Sequence, residues 1–191
     1  MGNSRSWLFR GLVIAGASLL LITWFTPWWS CDIDYIKVEN GLVIYPYGIE
    51  NNLGAYATLV PRYLLPRFLP PLLWAYLALG IIALLVAVVV QDKSIGLFGR
   101  KYNLSRWLVG IVGFSYIVVV VVAVIYAAIR TGEFGKMHLL GKSFVELEEH
   151  QMSYVYARLL FSYWLACTVG PFLTLLAIFR NKIIGKTNMQ S

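Results

Sequence analysis

The stretch "WFTPWWSCDIDY", residues 24–35, decides how the chain is read: three tryptophans fall within six residues at the end of an apolar run, and a cysteine and two aspartates follow at once. An indole joins an apolar ring to an N–H donor, so such rings concentrate where a membrane helix meets water. Trp24, Trp28 and Trp29 are therefore expected to anchor the outer end of a first membrane span, with Trp107 at the opposite interface. Pro27 is tolerated in the last turn of that span, where it redirects the emerging chain.

Composition sets lipid as the solvent. Of 191 residues, 59% are apolar and 13% charged, about half the charged share of a soluble domain. Four runs qualify as spans: Gly11–Trp29, Pro71–Gln91, Trp107–Ile129 and Ala157–Phe179, with Arg158 the only formal charge inside them. Each approaches or exceeds the roughly 20 residues a helix needs to cross about 30 Å of hydrocarbon. Arg5 and Arg10 ahead of the first run would also suit a cleaved signal peptide, but Trp28, Trp29 and Ser30 before Cys31 are wrong for a peptidase, so the helix is expected to be retained. The start "MGNSRS" fits the pattern for myristate on Gly2, and one acyl chain would add little to four spans.

Orientation follows from the basic residues. Arg5, Arg10, Lys93, Arg100, Lys101, Arg106, Arg180, Lys182 and Lys186 collect on the side of the two termini and the 92–106 loop, with Asp92 the single acid. That side is expected to be cytoplasmic, since excess Lys and Arg in short loops sets topology. Nucleic-acid binding would need a basic soluble surface with stacking aromatics, and the sequence offers none.

The outer loops, 30–70 and 130–156, carry three features. In "YIKVENGLVIYPYG" the Asn40-Gly41 pair between β-branched residues predicts a type I′ hairpin that sets Val38 against Val43 and Ile36 against Tyr45. Two strands alone are marginal in water, so Val38, Asn40, Gly41, Val43 and Tyr45 are candidate docking residues. The near-repeat "PRYLLPRFLPP", residues 61–71, reads as a segment along the outer leaflet, with Arg62 and Arg67 reaching for phosphates. Ser143 followed by Glu146 has capping-box spacing and predicts a helix from near Phe144 that runs on into span four. Glu146, Glu149 and His150 would then share one side of it, an acidic docking face or, with His138, a loose metal set; two histidines at such spacing predict no dedicated metal site.

The remaining chemistry is sparse. Asn103-Leu104-Ser105 matches a glycosylation triplet, but its cytoplasmic placement makes it a cap for span three. Cys31 lies at the outer edge of span one and Cys167 about ten residues inside span four, too far apart to bridge. No span carries Asp, Glu, His or Lys, which argues against haem ligation, proton relays and ion-coupled transport. No nucleophile elbow, phosphate loop or zinc-protease motif occurs either, so no catalytic residue, cofactor or metal is expected. Small residues supply packing stripes: Ala166, Gly170 and Thr174 on span four, Ala83 and Ala87 on span two, Gly110 and Gly113 on span three.

Four spans with an outer hairpin after the first resemble the layout of claudin-like proteins. Trp29 and Gly41-Leu42-Val43 are the nearest counterparts of that family's loop tryptophan and Gly-Leu-Trp triplet, while Cys31 has no second cysteine in its loop. Layout alone carries no function. The expected fold is an all-α membrane protein of one domain, 1–191: a four-transmembrane-helix bundle with a small extracytoplasmic β-hairpin and an extended outer end of helix four. The expected role is a non-catalytic accessory or scaffold subunit bound to lipid and to other integral membrane subunits. The alternatives are a self-associating cell-contact protein made of copies of itself and a small channel or transporter subunit.

Overall fold

The computed structural model describes residues 2–34, 38–53, 66–90, 94–97, 100–133, 137–146 and 152–184. Among these residues four long helices are present: α1 (Gly2–Phe25), α2 (Leu69–Val89), α3 (Leu104–Glu133) and α4 (Phe161–Ile184). All four are long and apolar enough to cross a membrane, and even α2, at 21 residues, reaches about 31 Å at 1.5 Å per residue. The only acid in any of them is Glu133, the last residue of α3. Length and composition thus fit a multi-pass membrane protein. Asn103 caps α3 as expected, its Oδ1 accepting the Arg106 N–H at 3.3 Å.

Among the described residues seven strands accompany the helices: β1 (Trp29–Ile33), β2 (Val38–Tyr45), β3 (Gly48–Asn51), β4 (Ser94–Leu97), β5 (Arg100–Asn103), β6 (Gly141–Glu146) and β7 (Met152–Leu159). β4 and β5 form a hairpin of their own in the loop between α2 and α3. The other five form one antiparallel sheet in the order β3-β2-β1-β7-β6. The expected all-α class therefore holds in part: the protein is mostly helical with a small antiparallel sheet, built from the loop after α1 and the loop before α4 together.

Two of the expected local elements do not form. Residues 38–45 make a single strand that runs through Asn40-Gly41, so Val38 pairs with Ile33, Val43 with Ser30 and Tyr45 with Gly48. Asn40 does take positive φ, at 52°, but as part of a bulge: the β1–β2 register slips between Cys31 and Ile33. The projecting helix is also absent. Ser143 lies in β6, where its hydroxyl accepts the His138 N–H at 2.8 Å instead of capping a helix. In "MSYVYARL", residues 152–159, Ser153, Val155 and Ala157 are buried while Tyr154, Tyr156 and Arg158 are exposed; that alternation has period two, and α4 begins only after it. Arg158 thereby leaves the fourth span.

The chain divides into two compact units, Met1–Leu21 with Tyr76–Val119 and Ala166–Ser191, and Ile22–Ala75 with Val120–Leu165. In the first, α3 and α4 approach through small residues. A Cβ on Gly113 would lie 2.7 Å from the Thr174 backbone nitrogen and 2.9 Å from the Gly170 carbonyl, and one on Gly170 would meet Ile117 and the Gly113 carbonyl. Gly110 faces Ala177, Ala166 and Ala87 are buried, and Ala83 is half-buried. Tyr76 of α2 and Ser115 of α3 share a hydrogen bond of 3.0 Å. The β-branched stretch of α3 is covered less: Val118, Val121, Val122, Ile125 and Ile129 are exposed, a surface suited to lipid tails or an apolar partner.

Backbone atoms cannot move aside as a flexible side chain can, so Gly113→Ala should force α3 and α4 apart and cost about 1–3 kcal/mol. Gly11→Ala meets nothing within 4 Å and serves as the control. Thermal unfolding in detergent should separate the two; equal midpoints would refute the close helix approach.

Candidate docking surface on the sheet

In the second unit the sheet grows directly from the end of α1. Beyond Phe25 the Trp28 N–H donates to the Ile44 carbonyl at 2.8 Å and the Trp28 carbonyl accepts the Leu160 N–H at 2.9 Å, so Trp28 extends the β1 ladder on both sides. Its indole N–H donates to the Thr23 carbonyl at 2.7 Å, and its ring packs edge-on against Tyr163. Ser162 donates its hydroxyl to the Pro27 carbonyl. A second aromatic group joins Phe25, Tyr47 and Trp74, with Tyr45 stacked on Tyr47 at 5.3 Å between ring centroids.

The three tryptophans expected at the end of the first span pack against the protein itself. Trp24, Trp28 and Trp29 are buried in protein, and the Trp29 indole donates to the Leu139 carbonyl at 2.7 Å. Rings large enough to sit at a membrane interface are also large enough to fill a core; Trp29 joins the apolar core of the sheet, and Trp28 packs on Tyr163. Trp107 is exposed on α3, and Arg67 is exposed just before α2; Arg62, Ile36, Glu149 and His150 lie outside the described residues.

The two faces of the sheet differ in chemistry. One carries Trp29, Cys31, Ile33, Leu42, Val155 and Ala157, and Leu53 and Met137 complete the apolar core. Burial pushes the Cys31 thiol up to about 12, against a weaker lowering by its backbone hydrogen bond to Leu42. The opposite face follows from the same register. Ser30 lies opposite Val43 and Arg158, Asp32 opposite Tyr156, Lys142 opposite Tyr156, and Phe144 opposite Tyr154. Phe144 is 53% exposed, Tyr154 42% and Tyr156 43%.

Those three rings and one cation form a connected surface. The Phe144 and Tyr154 centroids are 4.9 Å apart, and Lys142 Nζ sits 3.6 Å from the Tyr154 centroid and 5.3 Å from that of Tyr156. Such cation–π contacts contribute roughly 0.5–1 kcal/mol at exposed sites and hold the lysine on that face. Arg158 continues the surface: its Nη2 lies 3.5 Å from Asp32 Oδ2 and donates to Asn40 Oδ1 at 3.4 Å, while its Nε donates to Ser30 Oγ at 3.3 Å.

That ion pair braces the bulge. Asp32 Oδ1 accepts the Asn40 N–H at 2.7 Å, and from the other side Asn52 donates its side-chain amide to the Asn40 carbonyl and its N–H to the Gly41 carbonyl. Arg158 is 56% exposed, so its pairing with Asp32 contributes at most about 1 kcal/mol; its part is to fix geometry.

Of the residues proposed for docking, Asn40 belongs to this braced bulge, whereas Gly41 and Val43 are buried and Tyr45 is half-buried in the aromatic group. Lys142, Phe144, Tyr154, Tyr156 and Arg158 were not among them, although the period-two pattern of 152–159 marks three of the five. Glu146 is the last residue of β6 and not a helix-face acid. Among the described residues no group of three His, Cys, Asp or Glu is placed to hold a metal. No protein-family model matches the chain, and no curated protein or solved structure matches it significantly. The claudin-like likeness accordingly stands on layout alone.

A thiol raised from 9.0 to about 12 exposes roughly a thousandfold less thiolate near neutral pH, and thiolate is the reactive form. In native protein at pH 8 an alkylating reagent should therefore modify Cys31 only after unfolding. Peptide mass spectrometry showing rapid labelling of Cys31 in folded protein would contradict its burial in the sheet.

Proposed function

We propose that this protein is a non-catalytic accessory or scaffold subunit of a larger assembly in the cell membrane, and that it docks through the sheet face bearing Lys142, Phe144, Tyr154 and Tyr156. The observation that carries this reading is the exposure of three aromatic rings and a lysine on a braced sheet face. Aromatic side chains on a rigid support bring large contact area at low entropic cost, and such residues dominate the energetics of protein interfaces. The matching partner is another integral membrane subunit whose extramembrane part offers apolar side chains and carboxylates to Lys142 and Arg158.

In this reading both termini are cytoplasmic and the sheet is extracytoplasmic, on the strength of the basic residues near the termini and in the 92–106 loop. A tag on the C-terminus should survive protease added outside intact cells. Its digestion would reverse the orientation and place the sheet in the cytoplasm.

Docking is tested by purification in mild detergent and mass spectrometry of the chains that accompany the protein. Wild type should bring down at least one foreign membrane subunit in stoichiometric amount. Tyr154→Ala with Tyr156→Ala removes two exposed rings without touching the apolar face, so the variant should insert normally and lose that subunit at least tenfold, the loss expected for two interface aromatics at about 1 kcal/mol or more each. Retention of the partner at wild-type yield would exclude this face. A self-associating role is the second reading, and the edge strand β6 favours it.

A further inference from the structure

β6 is an edge of the five-stranded sheet: among the described residues it pairs with β7 and with no other strand. One row of its backbone N–H and C=O groups is thus available to a further strand. Leu140, Gly141, Lys142 and Phe144 are exposed along it. The strand is six residues long, and its alternation assigns positions 142, 144 and 146 to one face and 141, 143 and 145 to the other.

Two copies of one edge can pair antiparallel about a two-fold axis, in which case the same patch serves both partners. Residues directly opposite each other must then share a face, because the pleat alternates in both strands. Only registers centred on a residue satisfy this. Centring on Phe144 sets it against its own copy, Ser143 against Val145, and Lys142 against position 146, which is a glutamate, twice over in the pair. Centring on Ser143 sets Lys142 against Phe144 and leaves the glutamate unmatched.

We propose that β6 pairs with β6 of a second copy of this chain in the register centred on Phe144, merging two five-stranded sheets into one. Opposite charges directly across an antiparallel ladder stabilise it and like charges destabilise it, so the strand is complementary to itself in this register. The contact between Lys142 Nζ and Tyr154 keeps the ammonium group on the face that position 146 shares. This pairing needs no foreign subunit, and it stands or falls separately from docking through the aromatic face.

The test uses the purified full-length chain, alone, in liposomes. Phe144→Cys should form a disulfide-linked dimer under mild oxidation, since opposed Cα atoms in an antiparallel pair lie about 4.5–5.5 Å apart, within disulfide reach; Ser143→Cys should not. Adding Lys142→Glu to Phe144→Cys should lower the cross-linked fraction on the order of tenfold, two repelling pairs replacing two attracting ones. Adding Glu146→Lys as well should restore it. The inference is overturned if the Phe144→Cys chain stays monomeric, if Ser143→Cys cross-links in its place, or if the double charge exchange fails to rescue. Absence of foreign subunits from the wild-type purification, with the Phe144→Cys dimer intact, would sink the docking reading and leave this one standing.

Discussion

Pairing of β1 with β7 is the constraint on which the sheet depends. Five consecutive partners, from Trp29 opposite Leu159 to Ile33 opposite Val155, join the loop after α1 to the loop before α4. The ladder is extended by the Leu160 N–H to Trp28 carbonyl bond and by the Asp34 N–H to Tyr154 carbonyl bond. β1 is central, with β2 on its other side, and four of its five residues are buried. Without that pairing, β6 and β7 would be an isolated hairpin, a marginal structure in water. With it, Trp29 and Cys31 are sealed into an apolar core, and the opposite face becomes firm enough to hold side chains in fixed positions.

The helices were legible because lipid imposes a simple rule. A span must be long, apolar and internally hydrogen-bonded, and those requirements are written in composition and length. Gly113 and Gly170 were visible for a related reason, since only small residues let membrane helices approach closely. Asn103 as the cap of α3 was equally local. Boundaries were harder: α1 ends at Phe25 because the residues after Pro27 are drawn into a ladder that a span-by-span reading does not see.

The sheet was legible only in part because strand pairing is non-local. Asn40-Gly41 is a strong turn signal for an isolated ribbon, but here β2 gains partners on both sides by running straight through, and the left-handed residue is absorbed as a bulge held by Asp32, Arg158 and Asn52. Ser143 and Glu146 have the spacing of a helix start, yet the neighbouring "SYVYAR" is rich in β-favouring residues that alternate in and out. Weighing period two against the capping box would have found β7, and with it the exposed face of Tyr154, Tyr156 and Arg158. The buried tryptophans teach a related point: an aromatic cluster at a helix end is equally suited to an interface and to a core, and tertiary packing decides.

Direct proof of the β1–β7 ladder would test the whole account. Asp32 is aligned with Tyr156 on the accessible face, so Asp32→Cys with Tyr156→Cys, in a chain with Cys31→Ala and Cys167→Ser to leave no other thiol, places two cysteines on adjacent strands within disulfide reach. Mild oxidation of the folded protein in membranes should join residues 32 and 156 within one chain, detected as a linked peptide pair by mass spectrometry and lost on reduction. A fold in which residues 144–156 form a helix leading into the fourth span would give no such link, and its absence from folded, membrane-inserted protein would contradict the shared sheet.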